Sequence, residues 1–274
     1  MKIMEDIEEH LKRFKIEYEA AIIGGGIDAK QAEIRSSKLI NHIHEYIKEQ
    51  LIANSVNPAK IFPPLGKSNP EITLTGYFKT KAQDVTVLSG TPRAEKVTEG
   101  VLIGATDTIG KEVSDRSISI NVRSQLSSIQ KNFDTLYERT FAESTNLHKR
   151  LEKLVMGEVY MLPVRAYDPK AMKENKIQFY EPFPLKYIPA FNEINKRSVD
   201  VGEEAKYERV CLLIVDFQAR TPRVIKDVNE LVALGIATKA EVSNLSLDGL
   251  GLDNFIEDLL EVYKIRHGSI NALL

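Results

Sequence analysis

Apolar positions along the chain follow two periods, and each change of period marks an element. Over residues 2–22, Ile3, Ile7, Leu11, Phe14 and Tyr18 recur at three- and four-residue spacing with charges between them, which predicts an amphipathic helix. Gly24-Gly25-Gly26 stops it. Asp28 is placed to cap a second helix with the stripe Ile34, Leu39, Ile43, Ile47 and Leu51. Residues 1–53 are therefore expected to form a helical pair packed on the rest. Residues 54–71 carry Asn57-Pro58, Pro63-Pro64 and Asn69-Pro70 and predict an irregular connector.

From residue 72 the runs are short and β-branched, predicting strands at 72–79 and 82–88. Residues 89–116 read as a long surface loop with a strand near Val101-Leu102-Ile103. Over 117–125 the alternation is clean, with Ser117, Ser119, Asn121, Arg123 and Gln125 on one face and Ile118, Ile120 and Val122 on the other. A helix is predicted over 126–151 from the stripe Leu126, Ile129, Phe133, Leu136, Thr140, Ser144, Leu147 and Leu151. Asn132, Arg139, Glu143 and Arg150 line its flank, and Glu138 lies opposite. Strands follow at 157–164 and 209–217, the second apolar on both faces as a buried central strand is. Residues 165–206, with Pro169, Pro182, Pro184 and Pro189, read as an insertion or large loop. Short helices at 227–234 and 239–244 and an amphipathic one at 253–266 complete the chain. This order predicts an α/β (α+β) fold: a mixed central sheet flanked by helices, with its core in residues 54–274.

Composition narrows the chemistry. The 274 residues contain one cysteine, Cys211, which rules out a disulfide framework and a cysteine-rich zinc site. No apolar run approaches the ~20 residues of a membrane span. The start, Met1 to Asp6, turns acidic at once without the apolar core of a signal peptide, so a cytoplasmic location without a membrane partner is expected. With 37 basic and 39 acidic residues the net charge is −2, which leaves nucleic-acid binding to a local basic cleft. The glycine patterns of nucleotide and dinucleotide sites, Gly-x-Ser-x-Gly and His-x-x-x-His are all missing. His42 and His44, two apart on a helix, do not share a face.

One constellation remains. Phosphodiester cleavage by metal ions needs carboxylates that hold Mg²⁺ and a cation that orients phosphate or water. A strand bearing an Asp, a second strand with polar side chains and a following helix make a suitable platform. The residues are Pro70-Glu71, then Gln83-Asp84-Val85-Thr86-Val87, then Ser119-Ile120-Asn121-Val122-Arg123-Ser124-Gln125, then the helix. Over residues 70–165 this order resembles the PD-(D/E)XK nuclease core of type II restriction endonucleases. Where the family has Glu this chain has Asn121, and where the family has Lys it has Arg123, which clamps phosphate but stays protonated. Some members of the family carry the missing acid on the adjacent helix, and Glu143 occupies that place.

The resemblance implies a Mg²⁺-dependent endonuclease acting on double-stranded DNA at a specific sequence, as a homodimer. Asp84 would be the central metal ligand with Glu143 or Glu71 as partner, and Arg123 and Gln125 would orient phosphate or water. Lys79, Lys81 and Arg93 are the candidate DNA contacts, with loop 89–116 and segment 165–206 as the places for sequence readout. Two other readings stay open: a non-catalytic DNA-binding or protein-interaction module on the same scaffold, and an unrelated α/β enzyme with its site elsewhere.

Overall fold

The computed structural model describes residues 5–35, 38–198 and 202–274. Ile3, the side chain of Ile34 and part of the segment 165–206 lie outside the described residues. The helical run α1 (Ile7–Arg35) is interrupted at Gly25 and Gly26, whose backbones are non-helical, so the helix stops at the glycines as expected and a second helical stretch follows. Gly26 has φ +62°, and a Cβ there would fall 2.9 Å from the Met172 carbonyl oxygen. Helix α2 (Lys38–Ala53) buries Leu39, Ile43, Ile47 and Leu51, the predicted stripe. The connector then supplies an edge strand, β1 (Ile61–Phe62).

The predicted strand at 72–79 is instead a hairpin, β2 (Ile72–Thr75) and β3 (Thr80–Gln83), and the chain bends at Asp84 into β4 (Val85–Val87). Loop 89–116 contains the hairpin β5 (Glu95–Lys96) and β6 (Thr106–Asp107) and helix α3 (Lys111–Asp115). The strand predicted near Val101-Leu102-Ile103 is a turn at its tip, with Val101 69 % and Ile103 68 % exposed. Strand β7 (Ile118–Ser124) leads to α4 (Phe133–His148) and β8 (Val155–Pro163). Residues 126–132 do not join α4. Ser128 has φ +54°, and Gln125 Nε2 donates to the Ser127 and Ser128 carbonyls, so a side chain takes acceptors that a helix would use.

The segment 165–206 is more than a loop. It forms β9 (Arg165–Tyr167), α5 (Pro169–Lys173), β10 (Phe179–Pro182) and α6 (Tyr187–Glu193). Tyr187, Ile188 and Phe191 of α6 are fully buried. Then come β11 (Arg209–Asp216), β12 (Arg223–Val224), α7 (Val228–Ala233), α8 (Lys239–Val242) and α9 (Phe255–His267). Capping boxes at Asp227/Glu230 and Thr238/Glu241 start α7 and α8.

Among the described residues the main sheet has six strands in the order β1-β4-β7-β8-β11-β12. The β1–β4 and β4–β7 pairs are antiparallel, and β7–β8 and β8–β11 are parallel. Every residue of β8 and β11 is buried, as central parallel strands require. On one face, Ile118, Ile120, Val122, Val159 and Leu213 pack with α1, α2 and α9. On the other, Tyr160, Leu162 and Leu212 pack with α4 and α6. The molecule is thus a mixed α/β layer structure, as the alternation of periods predicts. Gly157 lets α9 close onto β8: a Cβ there would lie 2.9 Å from Leu259 Cδ1 and from Phe255 Cζ.

Candidate active site

The polar face of β7 is not open to solvent. Ser117, Ser119, Asn121 and Gln125 are all buried, and α4 lies across that face. Burying such groups is costly unless each finds a partner. The register sets Asn121 opposite Glu158 of β8, which places a fully buried carboxylate in the middle of the sheet. Arg123, one step along, meets it: Nη1 donates to Glu158 Oε1 at 2.6 Å and to Thr140 Oγ1 at 3.1 Å. Its other nitrogen, Nη2, pairs with Glu143 Oε2 from α4. One guanidinium therefore bridges two acids from different elements, a geometry its planar fork suits.

Glu143, in turn, receives Lys81 Nζ at 3.4 Å and Gln83 Nε2 at 3.5 Å. Gln83 accepts through Oε1 from Ser119 Oγ at 2.6 Å and from Asn121 Nδ2 at 3.2 Å. The β2–β3 turn that carries Lys79 toward Lys81 is tied to α4 by Asn146. Its Oδ1 accepts from the backbone of Phe78 at 2.8 Å and Lys79 at 3.0 Å, and its Nδ2 donates to the Lys79 carbonyl at 3.1 Å. Gly76 permits the approach, since a Cβ there would fall 2.7 Å from the Asn146 carbonyl oxygen.

Asp84 stands half-buried at the bend between β3 and β4, where the chain enters the main sheet, and its Oδ2 accepts from Val122 N at 2.7 Å. Its charge is felt by the acids around it. The exposed Glu71 has its carboxyl pushed up, first by desolvation and then by Asp84, with Lys81 opposing. Glu158 is pushed up to about 8, chiefly by complete burial, with Glu143 and Asp84 adding to the effect and Arg123 working against it. Burial opposes the charge on Arg123, yet Glu158 and Glu143 outweigh it and hold the guanidinium protonated. His44 of α2, buried with its Nε2 unpartnered among the described residues, is pushed down by desolvation against the pull of Asp84.

The sequence candidates thus fall into groups. Asp84, Glu143, Arg123 and Glu71 share one electrostatic neighbourhood, and Lys81 joins it as an ion-pair partner rather than as a free surface cation. Gln125 lies elsewhere, locked between the Ser127 and Ser128 carbonyls and the hydroxyls of Tyr160 and Tyr187. Lys79 and Arg93 are exposed, on the β2–β3 turn and ahead of β5. On sequence alone, neither Glu158 nor Gln83 is given a role in the site. The only signal for Glu158 was an acid in an otherwise apolar strand.

Among the described residues no group of three or more His, Cys, Asp or Glu side chains is spaced to hold a metal ion. Arg123 occupies the space between Glu143 and Glu158. A cavity of about 540 Å³ between the α1 start, β11 and the loop before α9 is lined by none of these groups. No helix among the described residues is long and apolar enough to cross a membrane. No protein-family model, curated protein or solved structure matches the chain.

Proposed function

We propose that this chain is a Mg²⁺-dependent endonuclease of the type II restriction kind, hydrolysing phosphodiester bonds of double-stranded DNA at a specific sequence. The reading is supported by a shared electrostatic neighbourhood: Arg123 of β7 and Lys81 ion-pair Glu143 of α4, and Asp84 at the β3–β4 bend acts with Glu143 on the Glu158 carboxyl. The donor chemistry suits Mg²⁺, since the carboxylates of Asp84, Glu143 and Glu71 are hard oxygen donors. Asp84 and Glu143 would hold the ion, with Glu71 at the rim as a further oxygen donor. Two protein carboxylates suffice for an ion that keeps several waters. When bound there, Mg²⁺ lowers the pKa of its water and offsets charge on phosphate oxygens.

The chain's own residues do the rest. Lys81, ion-paired to Glu143 with its side chain 39 % exposed, would exchange that partner for an incoming phosphate. Arg123 fixes Glu143 and is itself fixed by Glu158, which acts as a positioning residue. Lys79 and Arg93 hold the DNA backbone from the surface. A palindromic target pairs with a two-fold homodimer, and the cytoplasm is where such an enzyme meets its DNA.

Plasmid DNA incubated with the protein and Mg²⁺ tests the reading. Discrete fragments that vanish with a chelator are expected, and intact plasmid at every divalent concentration refutes it. The ion pairs already satisfying Glu143 favour a second reading, a DNA-binding module that has exchanged its metal for Arg123 and Lys81. That module retards the plasmid without cutting it.

A further inference from the structure

Lys30, after the break in α1, is an ammonium group almost sealed from water. It is 8 % exposed, and among the described residues its one hydrogen bond is to Ser127 Oγ at 3.4 Å and no acid forms an ion pair with it. Desolvation pushes its pKa down. A buried cation without a counter-ion is costly, and chains retain one where something answers the charge.

The surroundings show what that is. Lys30 lines a cavity of about 150 Å³ beside Tyr18, Ser124, Gln125 and Ser127, and its wall carries no acidic residue. The Tyr18 hydroxyl is buried with no hydrogen-bond partner among the described residues, and burial keeps it protonated. A single water needs only about 10–15 Å³ of such space, so the cavity has room for a larger group. Lys30, Tyr18, Ser124 and Ser127 line this cavity together, and no carboxylate does. The cavity also lies at the carboxyl end of β7: Ser124 follows Arg123 directly, and Val122 bonds Asp84. Successive strand residues face opposite sides, so the cavity backs onto the candidate site from the α1–α2 side of the sheet.

We propose that this cavity is a phosphate-binding subsite, with Lys30 as the counter-charge and Tyr18, Ser124 and Ser127 as hydroxyl donors. It rests on the cavity and its unpartnered donors, not on the carboxylate cluster, so it stands or falls apart from the nuclease reading. The phosphate can belong to a nucleic-acid backbone or be free.

The test uses the full chain with inorganic phosphate as the probe. Thermal unfolding is compared in phosphate and in chloride of equal ionic strength, for the wild type, Lys30→Met and Tyr18→Phe. Phosphate is expected to raise the wild-type melting temperature by linkage, with the rise lost in Lys30→Met. Tyr18→Phe removes one hydroxyl and keeps the ring; it shows a reduced rise, and it decides the matter if Lys30→Met fails to fold. Binding of a DNA duplex without divalent ions, measured against salt, separates the two sources. A salt slope smaller by about one in Lys30→Met assigns the phosphate to a DNA backbone. An unchanged slope, or no duplex binding, assigns it to free phosphate. No rise in the wild type, or the same rise in all three proteins, overturns the subsite.

Discussion

Glu158→Gln gives the sharpest physical prediction. The wild-type carboxyl is completely buried and pushed up from 4.5 to about 8. Between those values the folded chain holds a proton that the unfolded chain has lost. Stability therefore falls as pH rises through this window, and the loss is complete above about 8. At about 1.4 kcal/mol per pH unit the interval is worth at most about 5 kcal/mol. Gln keeps the size and an oxygen for Arg123 but cannot titrate. Urea unfolding of both proteins between about pH 5 and about pH 8 reads the effect, because all other titrating groups cancel in the difference. The variant is expected to gain on the wild type by a few kcal/mol across the window. Parallel pH curves would show that Glu158 is ionised throughout, held by Arg123, and would refute the reasoning.

Glu208 titrates in the opposite sense: fully buried, it is held down at about 2 because His148, Arg266 and Arg197 outweigh its desolvation. Its stabilisation is present above about 4.5 and is lost as pH falls through about 2. Glu208→Gln should cost about 3–5 kcal/mol at neutral pH and flatten the acid limb of the stability profile. Asn146→Ala releases the β2–β3 turn from α4. It should lower stability by about 1–3 kcal/mol in urea and reduce DNA cutting with it, because Lys81 loses its placement. Gly157→Ala forces a methyl against α9 and should cost about 1–3 kcal/mol by the same measurement.

Much of this arrangement was legible in local pattern. Leu39 to Leu51 on α2 and the apolar run of β11 fix element and burial together, whereas the alternation of β7 gave the strand but not the burial of its polar face. Asp84 stood out as an acid between two short β-branched runs, and Glu143 because its helical angle set it beside the buried stripe. What escaped was set by contacts between distant parts. Glu158 becomes part of the cluster only through its register opposite Asn121, and Lys81 only because Asn146 draws its hairpin onto α4. The start of α4 was misplaced because Leu126 and Ile129 are buried at helical spacing while Ser128 turns the chain to positive φ. Val101 and Ile103 look like strand residues but sit exposed at a hairpin tip.

The central claim is that the Asp84 carboxylate serves chemistry rather than architecture. Wild type and Asp84→Ala, matched for folding by circular dichroism and by unfolding free energies in urea that agree within about 1 kcal/mol, are to be compared on plasmid DNA with Mg²⁺. The account predicts discrete fragments from the wild type and none from the variant. Equal cutting by both proteins contradicts it.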